Sequence, residues 1–474
     1  MRDLAFIGFL LALFGMGARR PFLFVLAYVY IDILSPQRLT YLLLNSVPIS
    51  LVAVVLAVGA WLAFDDKRDT RVAPRQILML LLLFYCGVTT LGADFPIEAR
   101  EKWDWVWKAL AFAIFLPLTL RTRLRIEALL LFMLLSAASI IIVGGIKTLA
   151  SGGGYGALNL LVNNNSGLYE GSTISTVAIA IIPLILWFTR FGTVFAPDWR
   201  VKLFCYALAF SCLLIPIGTS TRTGLLCIAL LALLMIREAK RPLLYIALIA
   251  MTPVVAYPFL PESFVARMQT IQSYKGDASA STRVAVWQWT IEFAKTHPFG
   301  GGFDAYRQNH IRYDKITQKG AGSNVAIVRS LEVDKARAYH SAYFEMLGEQ
   351  GYPGLALWLM INLAGIFRME IIRRRYRATA GEFAWAAPLA VSLQTAHIIY
   401  LLGAAFVAIA FQPFIFMLIG AQIGLDTYLT RRRAQAGWRP FRQQPNSAPA
   451  PARPTLLPST HHPVAPTPVA KPAQ

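Results

Sequence analysis

Apolar runs of bilayer-crossing length recur along this chain, and no other feature limits its fold so tightly. A hydrocarbon core about 30 Å thick needs roughly 20 apolar residues per helical span. Candidate spans lie at 3–17, 21–34, 47–64, 76–92, 105–120, 124–148, 171–189, 202–218, 222–236, 242–260, 342–367, 384–402 and 404–429. The 474 residues could fill two or three soluble domains, but 56% are hydrophobic and only 15% charged, which excludes that reading. Met1-Arg2-Asp3 before the apolar 4–16 has the outline of a signal peptide. It lacks a small-residue cleavage site and more spans follow at once, so retention is expected. Cys86, Cys205, Cys212 and Cys227 fall inside apolar runs, where they read as small buried residues, without the close Cys/His spacing of a zinc site. No structural metal is implied. The expected architecture is an all-α polytopic membrane protein with about 12 transmembrane helices and one large periplasmic loop between late spans. Its parts are an N-terminal helical bundle (1–260), a partly helical periplasmic loop (261–341), C-terminal membrane helices (342–430) and a tail (431–474). The first two runs are short, and thirteen spans would leave the termini on opposite sides. A count near twelve with both ends cytoplasmic requires one early segment to be merged or re-entrant, so the parity stays open.

The net charge of +20 invites a nucleic-acid reading, which the placement of the charge argues against. Most of the excess sits in short loops: Lys67 to Arg75, Arg121 to Arg125, Arg237 to Arg241, Arg368 to Arg377 and Arg431 to Arg433. Short Lys/Arg-rich loops mark the cytoplasmic side and touch membrane lipids. Their alternation puts 93–104, 149–171, 218–222 and 261–341 outside and everything after Arg431 inside. The tail is rich in Pro and Ala, cannot bury a core, and is expected to be disordered.

The loop 261–341 breaks this charge rule. It carries Arg267, Lys275, Arg283, Lys295, Arg307, Arg312, Lys315, Lys319, Arg329, Lys335 and Arg337 against seven carboxylates. A long loop translocates regardless of charge, so the excess is either a solvated basic surface or a site for a phosphorylated lipid or glycan. Within it, 284–295 reads as an amphipathic helix with Val284, Trp287, Ile291 and Ala294 on one face. His297-Pro298-Phe299-Gly300-Gly301-Gly302-Phe303 reads as a turn against the membrane surface. Arg222 is the sharper signal. It opens span 222–236 at the outer end, where Thr219 or Ser220 can cap the helix and its free N–H groups favour an anion. A snorkelling arginine is the alternative. His340 precedes another outward-facing helix start, which disfavours the imidazolium and leaves a neutral imidazole able to serve as a general base. A structural hydrogen-bonding role is its alternative. Glu345 and Glu349 lie one turn apart on that helix, as orienting groups or bases, or as partners of the loop arginines. His397 and Gln394 read as glue between helices, His297 as a turn residue, and Asn163-Asn164-Asn165 as a glycan contact or a solvated loop. Asp65-Asp66 has the look of a metal pair but lies on the cytoplasmic side without a partner motif.

Taken in order, Ser220-Thr-Arg222-Thr-Gly224, Arg283-Val-Ala-Val-Trp287, His297-Pro-Phe-Gly-Gly-Gly-Phe303 and His340-Ser-Ala-Tyr-Phe-Glu345, then Glu349-Gln-Gly351-Tyr-Pro-Gly354, resemble the O-antigen ligase and polymerase superfamily. Arg19-Arg-Pro-Phe22 and Ser35-Pro-Gln-Arg-Leu-Thr40 resemble its exosortase-associated O-glycosylation ligase subfamily. The resemblance covers roughly 1–430. It implies a glycosyltransferase of the bacterial inner membrane, with its active site facing the periplasm, that moves an O-antigen-type glycan from undecaprenyl diphosphate to a sugar of lipid A core. The transfer would be inverting and would use no metal or cofactor. By that resemblance Arg222 and Arg283 hold the donor diphosphate and His340 handles the acceptor hydroxyl, with Glu345, Glu349, Ser220 and Arg337 as supporting positions. Many relatives carry Asp-Asn-Asn where this chain has Glu170-Gly171-Ser172, so no donor-sugar contact is assigned there. An O-antigen polymerase and a protein O-oligosaccharyltransferase share the donor chemistry and stay open as alternatives. A lipid-linked sugar transporter would call for internal repeats, and none is visible. A non-catalytic envelope scaffold would leave His340 without a role.

Overall fold

A computed structural model describes residues 2–41, 43–44, 47–68, 70–155, 158, 167–237, 241–247, 251, 278–319 and 326–435. The chain divides into a body, Met1–Thr430, and a C-terminal unit, Arg431–Gln474. Of the latter only 431–435 are described, as the end of a helix, so the expected disordered tail lies outside the described residues.

The body is helical. Its elements are α1 (Arg2–Arg19), α2 (Phe22–Leu34), α3 (Pro36–Leu39), α4 (Ile49–Phe64), α5 (Pro74–Leu91), α6 (Pro96–Thr119), α7 (Arg123–Ser151), α8 (Gly171–Phe191), α9 (Trp199–Gly218), α10 (Arg222–Ile236), α11 (Ala278–Thr296), α12 (Ala342–Tyr376), α13 (Ala386–Ala404) and α14 (Pro413–Gln435). Among the described residues, seven helices are long and apolar enough to cross a membrane: α5, α7, α8, α9, α12, α14, and α13 with the short turn before it. The sequence led to a count of about 12. Helices α2, α4 and α10 are apolar but shorter than 18 residues, while α1 carries Arg2, Asp3 and Arg19 at its ends and α6 carries its charges between Glu98 and Lys108.

Contacts sort the helix ends into two sets. Asp94 N–H donates to Gly301 O, Tyr155 N–H to Gly218 O and the Tyr169 hydroxyl to Leu34 O, which gathers one set. Arg125 grips Asp65, Arg123 reaches Phe191 O and Arg237 pairs with Glu370, which gathers the other. These contacts join loops within each expected set; the end that carries Gly218, Gly301 and His340 is called here the site end, and the end that carries the short basic loops the basic end.

Two parts of the fold depart from the sequence expectation. The loop holds an antiparallel hairpin, β1 (His310–Lys319) with β2 (Ala326–Lys335), in the register His310 to Lys335 and Lys319 to Ala326. Charges interrupt the period-two alternation that would have announced these strands. Residues 405–412, read as the start of the last span, instead form a turn with Val407, Ile409, Ala410 and Phe411 buried. Pro413 forces the residue before it out of helical geometry, and α14 begins only there.

Helix α11 confirms the helix expected in the loop but not its buried face. Thr282, Val286, Thr290, Phe293 and Ala294 are buried, while Ile291 is 41% exposed. Apolar residues surround this helix, so periodicity alone did not choose a face. Packing chose it, through Val286 against Ile311 and Tyr339.

Candidate functional site

The site end is built around three corners. The first carries Arg222. Helix α9 closes through Thr219 N–H to Ile215 O, Ser220 N–H to Ile217 O and Thr221 N–H to Pro216 O. Ser220 takes a left-handed backbone, φ 51°, unusual for a residue other than glycine. Ser175, in the second turn of α8, stands 2.9 Å from Thr219 Oγ1 and accepts from the Thr221 hydroxyl at 2.8 Å. Three buried hydroxyls therefore bind the corner to α8. The expected caps do not act as caps. Thr221 occupies the N-cap position without a side-chain capping bond, and the Thr219 hydroxyl is turned back to Ile215 O. Arg222 opens a helix whose first N–H groups these side chains leave uncapped, which suits an anion.

The second corner carries His340, also on a left-handed backbone, φ 49°. Its neighbour Tyr339 is buried beside Gly348, where any Cβ would run into the phenol, and Trp287 Nε1 donates to Tyr339 O at 2.9 Å. Trp287 stacks on Phe344, with ring centroids 5.0 Å apart. Arg283 sits one turn before Trp287 on α11, so the same face presents it toward His340. Asn309 fixes the strand exit by accepting from Arg337 N–H at 2.9 Å and donating to Arg337 O at 2.7 Å. Burial holds the His340 pKa below its ordinary value, and Arg283 and Arg337 push the same way, while Glu170 pulls against them. Glu170 is the N-cap of α8, accepting from Thr173 N–H at 2.6 Å. Four charged or titratable groups thus meet here. Glu170 and Ser175 are five residues apart on α8, about 7.5 Å of rise, so its first turns join the His340 corner to the Arg222 corner.

The third corner is a clasp beneath the loop. Pro353 has no N–H to give Glu349 O, and Gly351 breaks α12 with φ 63°. Gly301 N–H donates instead to Gly348 O, and Gly302 N–H to Glu349 O, while Tyr352 N–H turns to Pro298 O. The glycine run fits because a Cβ on Gly300, φ 87°, would collide with the Glu349 carbonyl. His297-to-Phe303 is therefore a turn, as the sequence suggested, docked on a helix break. Glu345 and Glu349 take neither loop arginine as partner. Lys102 of α6 binds both, at 2.7 and 2.8 Å. Sequence reasoning passed over Lys102 as one more charge of an outer loop.

The remaining expectations sort quickly. His397 bonds to Asn362 at 2.8 Å and to Gln422 at 3.1 Å, and Gln394 donates to Ile366 O, so both tie helices together. His297 bonds to Thr296 within its turn. Asp65 and Asp66 pair with Arg125 and Arg121. The four cysteines are free and buried. Asn163 to Asn165, Arg267 and Lys275 lie outside the described residues.

Two stretches of the chain match known families. Residues 207–359 match the O-Antigen ligase family, and residues 1–193 match a family of unknown function (DUF5935). No curated protein matches the chain. The first match contains Arg222, Arg283 and His340 and supports the O-antigen ligase superfamily, hence a glycan-transferring ligase or polymerase in a multi-pass membrane protein. It speaks to the superfamily and not to the exosortase-associated subfamily.

Proposed function

We propose that the protein is an inverting, metal-independent glycosyltransferase of the inner membrane, working at the periplasmic face. Its donor is a glycan on undecaprenyl diphosphate and its acceptor a sugar hydroxyl of lipid A core. The observation that carries this reading is the His340 corner: an imidazole ahead of α12 whose pKa is held below its ordinary value by burial and by Arg283 and Arg337. Arg222 and Arg283 grip the diphosphate and stabilise it as it departs. The acceptor oxygen attacks the anomeric carbon, the bond from that carbon to the phosphate oxygen breaks, and the electron pair leaves with the diphosphate. The acceptor proton passes to His340. Donor binding itself sharpens the base, because two negative phosphates offset the arginine charge that keeps the imidazole's proton affinity low. Supporting positions Ser220 and Arg337 shape the two corners, and no cofactor takes part.

Donor affinity and turnover, measured separately, test the roles. Arg222→Lys and Arg283→Lys lose donor binding as well as rate, since lysine lacks the planar fork that holds two phosphate oxygens. His340→Ala loses about 10²–10⁴-fold in rate with donor binding nearly intact. Full turnover in His340→Ala would remove it as the base, and activity lost in chelator but restored by magnesium would remove the metal-free mechanism. Offering lipid A core, protein and a second donor in parallel separates ligase from polymerase and protein glycosylation.

A further inference from the structure

Two carboxylates one helical turn apart both stay ionised in one buried site only when a cation stands between them; otherwise one takes up a proton. Glu345 and Glu349 share such a site, their side chains 6% and 0% exposed. Lys102 Nζ lies 2.7 Å from Glu345 Oε1 and 2.8 and 2.9 Å from the two oxygens of Glu349. The rings of Phe303 and Phe411 close over the ammonium, with centroids 5.5 and 5.9 Å away. Each carboxylate also holds backbone: Glu349 accepts from Asp304 N–H and Glu345 from Ala410 N–H, both at 3.0 Å. Four segments therefore meet at one cation: α6, the first turns of α12, the turn after the glycine clasp, and the 405–412 turn. Tyr339 packs onto Gly348 of that same stretch of α12, and His340 follows on a backbone that costs energy to hold.

We propose that Lys102 is a positioning residue for the transfer reaction, the cation that pins the start of α12 and the clasp so that His340 meets the acceptor hydroxyl. This rests on His340 as the base. Lys102 belongs to the part of the chain that matches the family of unknown function, so the ion cluster gives that part a share in the chemistry of the other. Lys102 does not touch donor or acceptor. It acts through Glu345, Glu349 and the backbone they hold.

The test uses the full-length protein in lipid nanodiscs with three forms: wild type, Lys102→Met, and Lys102→Met combined with Glu345→Gln and Glu349→Gln. In Lys102→Met two buried carboxylates lose their counter-charge and the corner shifts. A displacement near 1 Å costs about 10²-fold in rate, so kcat falls on that order while the donor KM stays within about threefold. Amide exchange over 300–305 and 339–345 speeds up. In the combined variant the glutamine carbonyls still accept from Asp304 and Ala410 without stranded charge, and both kcat and protection largely return. Donor affinity falling in step with kcat overturns the proposal, as does unchanged exchange in a slowed Lys102→Met. Native protection with low turnover in the combined variant also overturns it and hands the chemistry to a carboxylate. That variant decides the matter if Lys102→Met alone does not fold. Failure of His340 as base shows separately, as full turnover in His340→Ala, while exchange still judges the positioning.

Discussion

Helix α12 binds glutamates to cations at both of its ends, under opposite conditions. At the site end, Lys102 is enclosed with Glu345 and Glu349, and every partner is at least four-fifths buried. At the basic end, Glu370 collects Arg237, Arg373 and Arg374; Glu370 and Arg373 are themselves largely enclosed, at 17% and 13% exposed, but Arg374 is 76% exposed and Arg237 41%. The chemistry is the same, but water reaches two of the three arginines of the second cluster and is largely shut out of the first. A solvated pair contributes little, whereas removing one member of a buried set strands the others without partners. The two ends therefore teach where this molecule needs its charges. At the basic end they stay partly in water, and at the site end they hold geometry.

The comparison breaks most completely if the two ends share one side of the membrane. With the four native cysteines replaced, a cysteine placed at Arg312 should react with an impermeant reagent added outside intact cells, and one at Arg121 should not. Labelling at Arg121 would reverse or abolish the assignment. Next in size, Glu349→Ala should cost about 3–5 kcal/mol, because Asp304 N–H and part of the Lys102 ammonium lose their acceptor. Thermal unfolding in detergent reads this as a marked drop in midpoint, and an unchanged midpoint would show that the buried cluster is dispensable.

A finer test concerns His340. Its pKa is lowered, so the neutral base persists below the ordinary value near 6.5, and wild-type kcat/KM should hold until the pH falls below that. Arg337→Gln removes one of the cations opposing protonation, so the acidic limb should move up in pH, and a limb that stays or moves down contradicts the assigned field. The smallest effect is expected at the basic end. Glu370→Gln should cost less stability than Glu349→Ala, because Arg237 and Arg374 keep water as a partner, and should leave turnover alone.

Much of the site was legible because its chemistry is local. An arginine opening an apolar helix, a histidine ahead of another, and a basic loop between them are readable from spacing alone. Lys102 was not, because its meaning depends on two glutamates more than 240 residues away. Glu170 was noted only as a departure from its relatives, and its place near His340 follows from where α8 begins. The hairpin escaped because its strands mix charges into both faces.

By itself the sequence determined that this chain must live in a membrane, since its apolar runs have no other place to go, and that its short basic loops gather at one end. The glycines at 300–302 likewise announced a tight turn, because backbone conformation is a property of neighbouring residues, whereas 342–367 read as one unbroken span and its break at Gly351 came only with the structure. Only the tertiary structure decided which face of α11 is buried, which cation neutralises Glu345 and Glu349, and which charges surround His340. Those choices depend on distance and exclusion of water between segments far apart in the chain, and the strength of a charge pair changes with burial far more than with residue type.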